Sequence, residues 1–336
     1  MKKDVVSLVT GGAGFIGSHV VDELLKAGHK VVVLDDLSGG IIENINSSAV
    51  FVEGSILNCK VISEIWDKYT PDYVFHLAAY AAEGLSHFIR KFNYSNNLLG
   101  SVNLLNAAIK SGSVKCFVFT SSIAVYGRNQ VPMTEETVPH PEDPYGIAKY
   151  AFEQDLRCAH EMFGMDYAIL RPHNVYGIRQ NIGDKYRNVV GIFMNQIMQN
   201  QPMTLFGDGS QTRAFTHVSD VAPAITAVAM NQECYNEVYN VGADEPCSVR
   251  KLAELVADAF DKPLHIETLE ARNEVEHAYA SHDKLWNALG HKPTQGLFEG
   301  IKEMAAWAKS TGPRKSQEFL NIEIEKKLPA SWKQSI

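Results

Sequence analysis

Cysteine is scarce in this chain. Five are spread over 336 residues (Cys59, Cys116, Cys158, Cys234 and Cys247), and no two form a C-x-x-C pair. That spacing offers neither a disulfide framework nor a thiolate metal site, and it suits reduced thiols in the cytoplasm. His160-Glu161 opens like a zinc helix motif, but the residue four after His160 is Gly164, so no metal is implied. No apolar run reaches membrane-spanning length. The chain runs from Met1-Lys2-Lys3-Asp4 straight into a strand pattern, with no long apolar leader. Cationic excess is missing too. With 31 Lys and Arg against 39 Asp and Glu, the net charge is -8, which leaves no footprint for nucleic acid or an anionic membrane. Internal repeats and low-complexity tracts are also absent.

What remains is the composition of an ordinary globular protein, 45% hydrophobic and 21% charged, long enough for one large or two modest domains. Short apolar, β-branched runs alternate with amphipathic stretches through the first half. Strands are predicted at Val5 to Thr10, Lys30 to Leu34, Val50 to Val52, Tyr73 to Leu77, Cys116 to Ser121 and Tyr167 to Leu170. Helices are predicted at Ser18 to Ala27, Val61 to Tyr69, Asn96 to Lys110 and Tyr145 to Phe163. Such alternation implies an α/β fold, a doubly wound parallel (Rossmann) sheet with helices on both faces. After Arg171 the pattern loosens into loops such as Gly177 to Asn188 and Gly207 to Thr212, and the last clear helix is Phe298 to Lys309. The expected division is a dinucleotide-binding domain over 1–172, with return segments around 213–244. A smaller α/β C-terminal substrate domain would then cover 173–212 and 245–336. Residues 311–336 show no period.

Thr10-Gly11-Gly12-Ala13-Gly14-Phe15-Ile16-Gly17 joins the first strand to the first helix. A tight turn there needs residues without a Cβ, and the helix N-terminus then offers unpaired N–H groups to a pyrophosphate. Asp35 ends the second strand, eighteen residues past Gly17, where a carboxylate can bond ribose hydroxyls. Asp36 follows and no Lys or Arg stands nearby in sequence, so a 2′-phosphate would meet two carboxylates. NAD is expected rather than NADP.

Of thirteen tyrosines only Tyr145 has a lysine four residues on. Chance alone predicts roughly 0.8 such pairs in a chain of this composition, so position must supply the specificity. Pro144 suits a first helical turn and puts Tyr145 and Lys149 on one face, and Ser121-Ser122 ends the preceding strand. To oxidise a secondary alcohol, a base must take the hydroxyl proton while hydride leaves the carbon. A free tyrosine, with a pKa near 10, needs a drop of up to about three units to do so at neutrality. Lys149 can stabilise the phenolate and Ser122 can hold the substrate oxygen.

Taken with His76-Leu77-Ala78-Ala79, Asn97, Arg171-Pro172-His173-Asn174, Gly207-Asp208-Gly209 and Arg213, these motifs identify a resemblance over residues 4 to about 310. The chain resembles the extended short-chain dehydrogenase/reductases, and among them the UDP-glucose (UDP-galactose) 4-epimerases. The resemblance implies catalysis by Ser122, Tyr145 and Lys149. It implies NAD contacts from Gly11, Gly14, Phe15, Ile16, Gly17, Asp35, Asp36, Ser55, Ile56, Leu77, Ala78, Ala79 and Asn97, besides Tyr145 and Lys149. UDP-sugar contacts are implied for Ser122, Asn174, Arg213, Arg272 and Tyr279, the last limiting space near the sugar. Glu83, unusual for the family, is a further residue that could face the sugar. The implied reaction inverts C4 of a UDP-hexose through a transient 4-keto sugar. A homodimer paired through Asn96–Lys110 and Tyr145–Phe163 is also implied.

Relatives that dehydrate nucleotide sugars carry an acidic pair after the serine, where this chain has Ile123 and Ala124. Other departures are Ser55, where an aspartate is usual, and Ala81, where some 4-epimerases have lysine. UDP-N-acetylglucosamine or UDP-glucuronate 4-epimerisation, or another NAD-dependent reaction on a nucleotide sugar, stand as alternatives. A non-catalytic NAD sensor would be expected to have lost one of Ser122, Tyr145 and Lys149.

Overall fold

The computed structural model describes residues 4–271, 275–290, 292, 294–316, 318–329 and 332. Runs of β-branched and apolar residues form strands buried on both faces, as their unbroken hydrophobicity requires. They are β1 (Val6–Thr10), β2 (Lys30–Asp35), β3 (Val50–Glu53), β4 (Tyr73–His76), β5 (Cys116–Thr120), β6 (Tyr167–Pro172) and β7 (Glu237–Val241). All seven pair in parallel, in the order β7-β6-β5-β4-β1-β2-β3. The order reverses between β1 and β4, so the loops leaving these two strands diverge and open a crevice at their carboxyl ends.

Helices cover both faces. On one, Val20, Val21 and Leu24 of α1 (Phe15–Lys26) pack with Val221 and Ile225 of a helix at Val218–Met230 against Val9, Val33 and Val118. On the other lie α2 (Cys59–Tyr69), α3 (Gly100–Ser111) and α4 (Pro144–Phe163). They bury Ile62, Leu104, Phe152 and Leu156 against Leu8, Val32, Phe117 and Phe119. Successive strand residues serve opposite cores, as a pleat demands. Helix α3 continues a helical turn at Arg90–Tyr94 through a π-helical segment, Ser95–Leu99. Its end is marked by Gly112, at φ 61°.

A third core joins the helices Val189–Met198, Val249–Ala259 and Leu297–Thr311 to the parallel strand pair Met203–Phe206 and Ile266–Leu269. Among the described residues beyond Thr311 no long element forms, yet they are anchored. Leu328 and Trp332 are buried with Ala82, Leu85 and Ile89, while Phe319 and Ile322 pack alongside. The described residues of this segment, which shows no period in sequence, form a packed strap. Among the described residues no helix is long and apolar enough to cross a membrane, and all five cysteines are free.

Candidate active site

The crevice is a cavity of about 430 Å³ lined from both sides of the β1/β4 reversal and roofed by the 172–188 segment with Arg213, Val275 and Ala278. Its floor is the glycine turn. Gly11 has φ +72°, and a Cβ there would lie 2.7 Å from the Ala78 amide nitrogen. A Cβ on Gly17 would collide with the Gly11 carbonyl oxygen. The two loops flanking the reversal therefore touch only because residue 11 is glycine. Gly14 caps α1 without any side-chain bond, leaving the first-turn N–H groups turned to the cavity. Asp35 is buried at the end of β2. Its Oδ2 accepts from Ala13 N at 3.0 Å and its Oδ1 from Leu37 N at 2.9 Å. Burial raises its pKa while the backbone bonds oppose that rise. An uncapped helix start, a glycine cradle and a carboxylate at the end of β2 fit a dinucleotide.

Further along, Ser122 leaves β5 in an extended conformation and caps a short 3₁₀ turn, its Oγ accepting from Ala124 N at 3.1 Å. Asp143 caps α4 by accepting from Gly146 N at 2.9 Å, and Pro144 occupies the first helical position. Tyr145 and Lys149 are thereby presented on one buried face, with Nζ 5.8 Å from the tyrosine ring centre. Lys149 donates to the Thr120 carbonyl at 2.8 Å. Burial lowers its pKa from 10.5 to about 7, against the opposing charge of Glu153. Tyr145 is pushed above its ordinary value, first by burial and then by the charge of Glu83, while a bond to Ser122 acts the other way. The drop that catalysis asks of this phenol is not supplied by the surrounding protein charges.

Behind this set runs a buried chain of bonds that the sequence reading did not anticipate. Glu153, one turn beyond Lys149, accepts from Arg171 Nε at 3.0 Å and Nη2 at 2.5 Å, and from Ser121 Oγ at 2.5 Å. Arg171 Nη1 donates to Tyr126 Oη at 2.7 Å, which donates to Asn240 Oδ1 at 2.8 Å. Removing one partner of such a pair strands a buried charge, at about 3–5 kcal/mol.

Most residues singled out from sequence line this cavity: Gly11, Gly14, Phe15, Ile16, Gly17, Asp35, Asp36, Ile56, Leu77, Ala78, Ala79, Glu83, Ser122, Tyr145, Lys149, Asn174 and Arg213. Three lie off its wall. Asn97, expected at the cofactor, is buried in the π-helical segment. Its Oδ1 accepts from Tyr80 N at 2.8 Å, and its Nδ2 donates to Tyr80 O at 3.0 Å and Asn93 Oδ1 at 2.7 Å. It holds the wall-forming Tyr80 backbone. Ser55 turns its Oγ to Leu57 N at 3.2 Å, leaving Gly54 and Ile56 on the wall. Tyr279 follows the strand pair His277–Ala278, whose inward residue is Ala278. It is Ala278, not Tyr279, that lines the cavity. Arg272 lies outside the described residues. Arg213 reaches the rim while donating to the carbonyls of Thr212 at 2.9 Å, Glu276 at 2.9 Å and Val275 at 2.6 Å.

Sequence reading missed the roof. Arg179 pairs with Asp22 of α1 at 2.7 Å, and His19 bonds the Ile178 carbonyl at 3.1 Å. Arg187 donates to Asp184 at 2.6 Å and lies over the Tyr80 ring, 4.9 Å from its centre. The signal available was the Gly- and Asn-rich stretch Gly177 to Asn188, too irregular to show which of its cations turns inward.

A dinucleotide cradle joined to a Ser-Tyr-Lys set on a seven-stranded doubly wound sheet defines an extended short-chain dehydrogenase/reductase. The chain belongs to the NAD dependent epimerase/dehydratase family, whose model matches residues 7–242. NAD is its cofactor and nucleotide-sugar epimerisation its class of reaction. It is 36% identical to a putative UDP-glucose 4-epimerase of Methanocaldococcus jannaschii, over 90% of this chain and 98% of that one. It is also similar to the crystal structure of UDP-glucose 4-epimerase with UDP-glucose from Thermotoga maritima (TM-score 0.87, 37% identity, 91% of this chain and 99% of that one). A UDP-N-acetylglucosamine 4-epimerase from Methanobrevibacter ruminantium, in complex with UDP-N-acetylmuramic acid, is similar at TM-score 0.85 and 32% identity, over 93% and 100% of the chains.

Proposed function

We propose that this enzyme inverts C4 of a UDP-hexose, interconverting UDP-glucose and UDP-galactose through a transient 4-keto sugar. One observation carries the choice within the family: after Ser122 the cavity wall is Ile123 and Ala124, both apolar. A second proton transfer, as dehydration requires, has no acid or base at those positions. Bound NAD would supply a reversible acceptor for the sugar hydride and a positive ring charge that favours the phenolate of Tyr145. The chain's own residues do the rest. Tyr145 takes the proton of the 4-hydroxyl and gives it back, Ser122 holds that oxygen, and Lys149 fixes the phenol from the same helix face. The dinucleotide rests on Gly11 to Gly17, Asp35 and the wall from Leu77 to Ala79. Asn174, Arg213 and Arg272 hold the nucleotide diphosphate, and Glu83 faces the sugar.

The division proposed follows the cores: the sheet layers bind NAD, and the third core carries the nucleotide-sugar side. Leu99, Ile147, Met162 and Phe163 are exposed apolar residues on or beside α3 and α4, which supports a homodimer paired through these helices. Five free thiols suit a cytoplasmic enzyme. Since Ala278 rather than Tyr279 lines the pocket, hexose preference rests on likeness to UDP-glucose epimerases and on the Glu83 carboxylate, which disfavours a uronate. Purified enzyme given UDP-glucose, UDP-N-acetylglucosamine or UDP-glucuronate, with no cofactor added, is expected to turn over UDP-glucose fastest. Faster turnover of either rival would replace this reading with that sugar.

A further inference from the structure

His173, between Pro172 and Asn174, lines the cavity on one side and is tied down on the other. Its Nδ1 lies 3.1 Å from the Ala214 carbonyl oxygen, and its Nε2 lies 2.8 Å from Nε2 of His282. The two rings are nearly parallel, at 15°. Beyond them, Nδ1 of His282 lies 2.6 Å from Asp244 Oδ1. Both imidazoles are buried, whereas the Asp244 side chain is 56% exposed. A side chain at Gly242 would collide with His173 and crowd His282, so the pairing depends on that glycine.

Donors and acceptors in this row can be counted. A carbonyl only accepts, so Nδ1 of His173 carries a proton. An ionised carboxylate only accepts, so Nδ1 of His282 carries one as well. Two facing nitrogens at 2.8 Å share a third. Three N–H protons on two rings are one more than two neutral imidazoles hold, so the pair bears one positive charge opposite Asp244. The charged group acting on it is Asp244, which itself feels the charge of Lys292. Burial, and after it the charge of His282, holds His173 down to about 3. The bond to His282 in turn holds Asp244 below the usual carboxylate range.

We propose that the His173–His282 pair is a proton-dependent cationic support for the substrate diphosphate, acting through the wall that carries Asn174. This rests on the nucleotide-sugar reading above. Asn174 sits at φ 42°, a left-handed conformation that a residue with a side chain keeps only when its neighbours hold it. While the pair keeps its third proton, all three bonds anchor the turn and positive charge lies behind it. Loss of that proton leaves one contact without a hydrogen and removes the charge. Either change weakens anion binding.

UDP-glucose is a suitable probe because its diphosphate is a diester and stays fully ionised from pH 6 to 9. Calorimetric titration of NAD-loaded enzyme should show affinity falling about tenfold through one ionisation as pH rises. In Asp244→Asn, an exposed substitution, that midpoint should move acid-ward by about one unit, because the imidazolium loses its counter-charge. Lys149 titrates in the same range but is untouched by the substitution, so the difference between the profiles reports the histidine pair. An unmoved midpoint, or flat affinity in the parent enzyme, overturns the proposal. Nitrogen-15 spectra of histidine-labelled protein test it without ligand: at pH 7 one ring should carry two protonated nitrogens. Two neutral rings overturn it. An imidazolium signal with no UDP-glucose binding at any pH rejects the diphosphate role together with the nucleotide-sugar reading.

Discussion

Lys149 occupies its place at a cost in stability. It is 2% exposed, it donates to the Thr120 carbonyl, and the nearby carboxylate of Glu153 is engaged by Arg171 and Ser121. Burial brings its pKa from 10.5 to about 7. Between these values the unfolded chain binds more protons than the folded one, so the penalty is full below pH 7 and fades as pH rises toward 10.5. Lys149→Met is therefore expected to abolish most turnover and to stabilise the fold. The gain should be several kcal/mol at pH 6, smaller at pH 9, and readable by urea unfolding at both. A destabilised variant, or a gain that grows with pH, would contradict the assignment. Tyr145 shows the same economy: burial and the charge of Glu83 raise its pKa, so the phenolate it needs as a base depends on the positive ring that bound NAD would bring.

Elements with one continuous apolar period were legible in the sequence. Val6 to Thr10, Cys116 to Thr120 and Tyr167 to Pro172 are buried throughout and lie within a residue or two of the predicted strands. The glycine turn and α4 were legible because a turn, a proline and an aspartate cap each leave a local mark. The seventh strand, Glu237–Val241, was not singled out, since its Asn240 looks polar yet is fully buried as an anchor for Tyr126, Met133 and Ser281. Partnerships that depend on distant residues were equally silent. Asn97 clamps Tyr80, and the strap beyond Thr311 finds partners such as Asn195, 119 residues from Arg314, and Tyr186, 133 residues from Phe319. Within that strap, Glu323 accepts from Lys91 N at 2.8 Å and Phe92 N at 2.9 Å, capping the helix at Arg90–Tyr94. Phe319 N donates to Tyr186 Oη at 3.1 Å. The strap thus ties together the Glu83 wall and the Asp184–Arg187 roof. Truncation after Gly312 is expected to raise KM for the nucleotide sugar about tenfold while NAD stays bound, because the glycine turn is held by α1 and β4 instead. Equal KM values for the two forms would show that the strap does not shape the site.

At the scale of the whole molecule, strand order, cradle and catalytic set are one arrangement. The reversal between β1 and β4 opens the crevice, the glycines let its two loops meet, and the strand after the reversal delivers Ser122 opposite Tyr145. An acidic protein of net charge -8 still brings Lys149, Arg179, Arg187 and Arg213 to this one cavity. The central claim is that the hydrogen on C4 leaves the sugar as hydride and returns to its other face without meeting solvent. UDP-glucose carrying deuterium at C4, incubated with the enzyme in ordinary water, tests this directly by proton NMR and mass of the product. The account predicts UDP-galactose that keeps the deuterium at C4. UDP-galactose with that deuterium replaced by solvent hydrogen would contradict it.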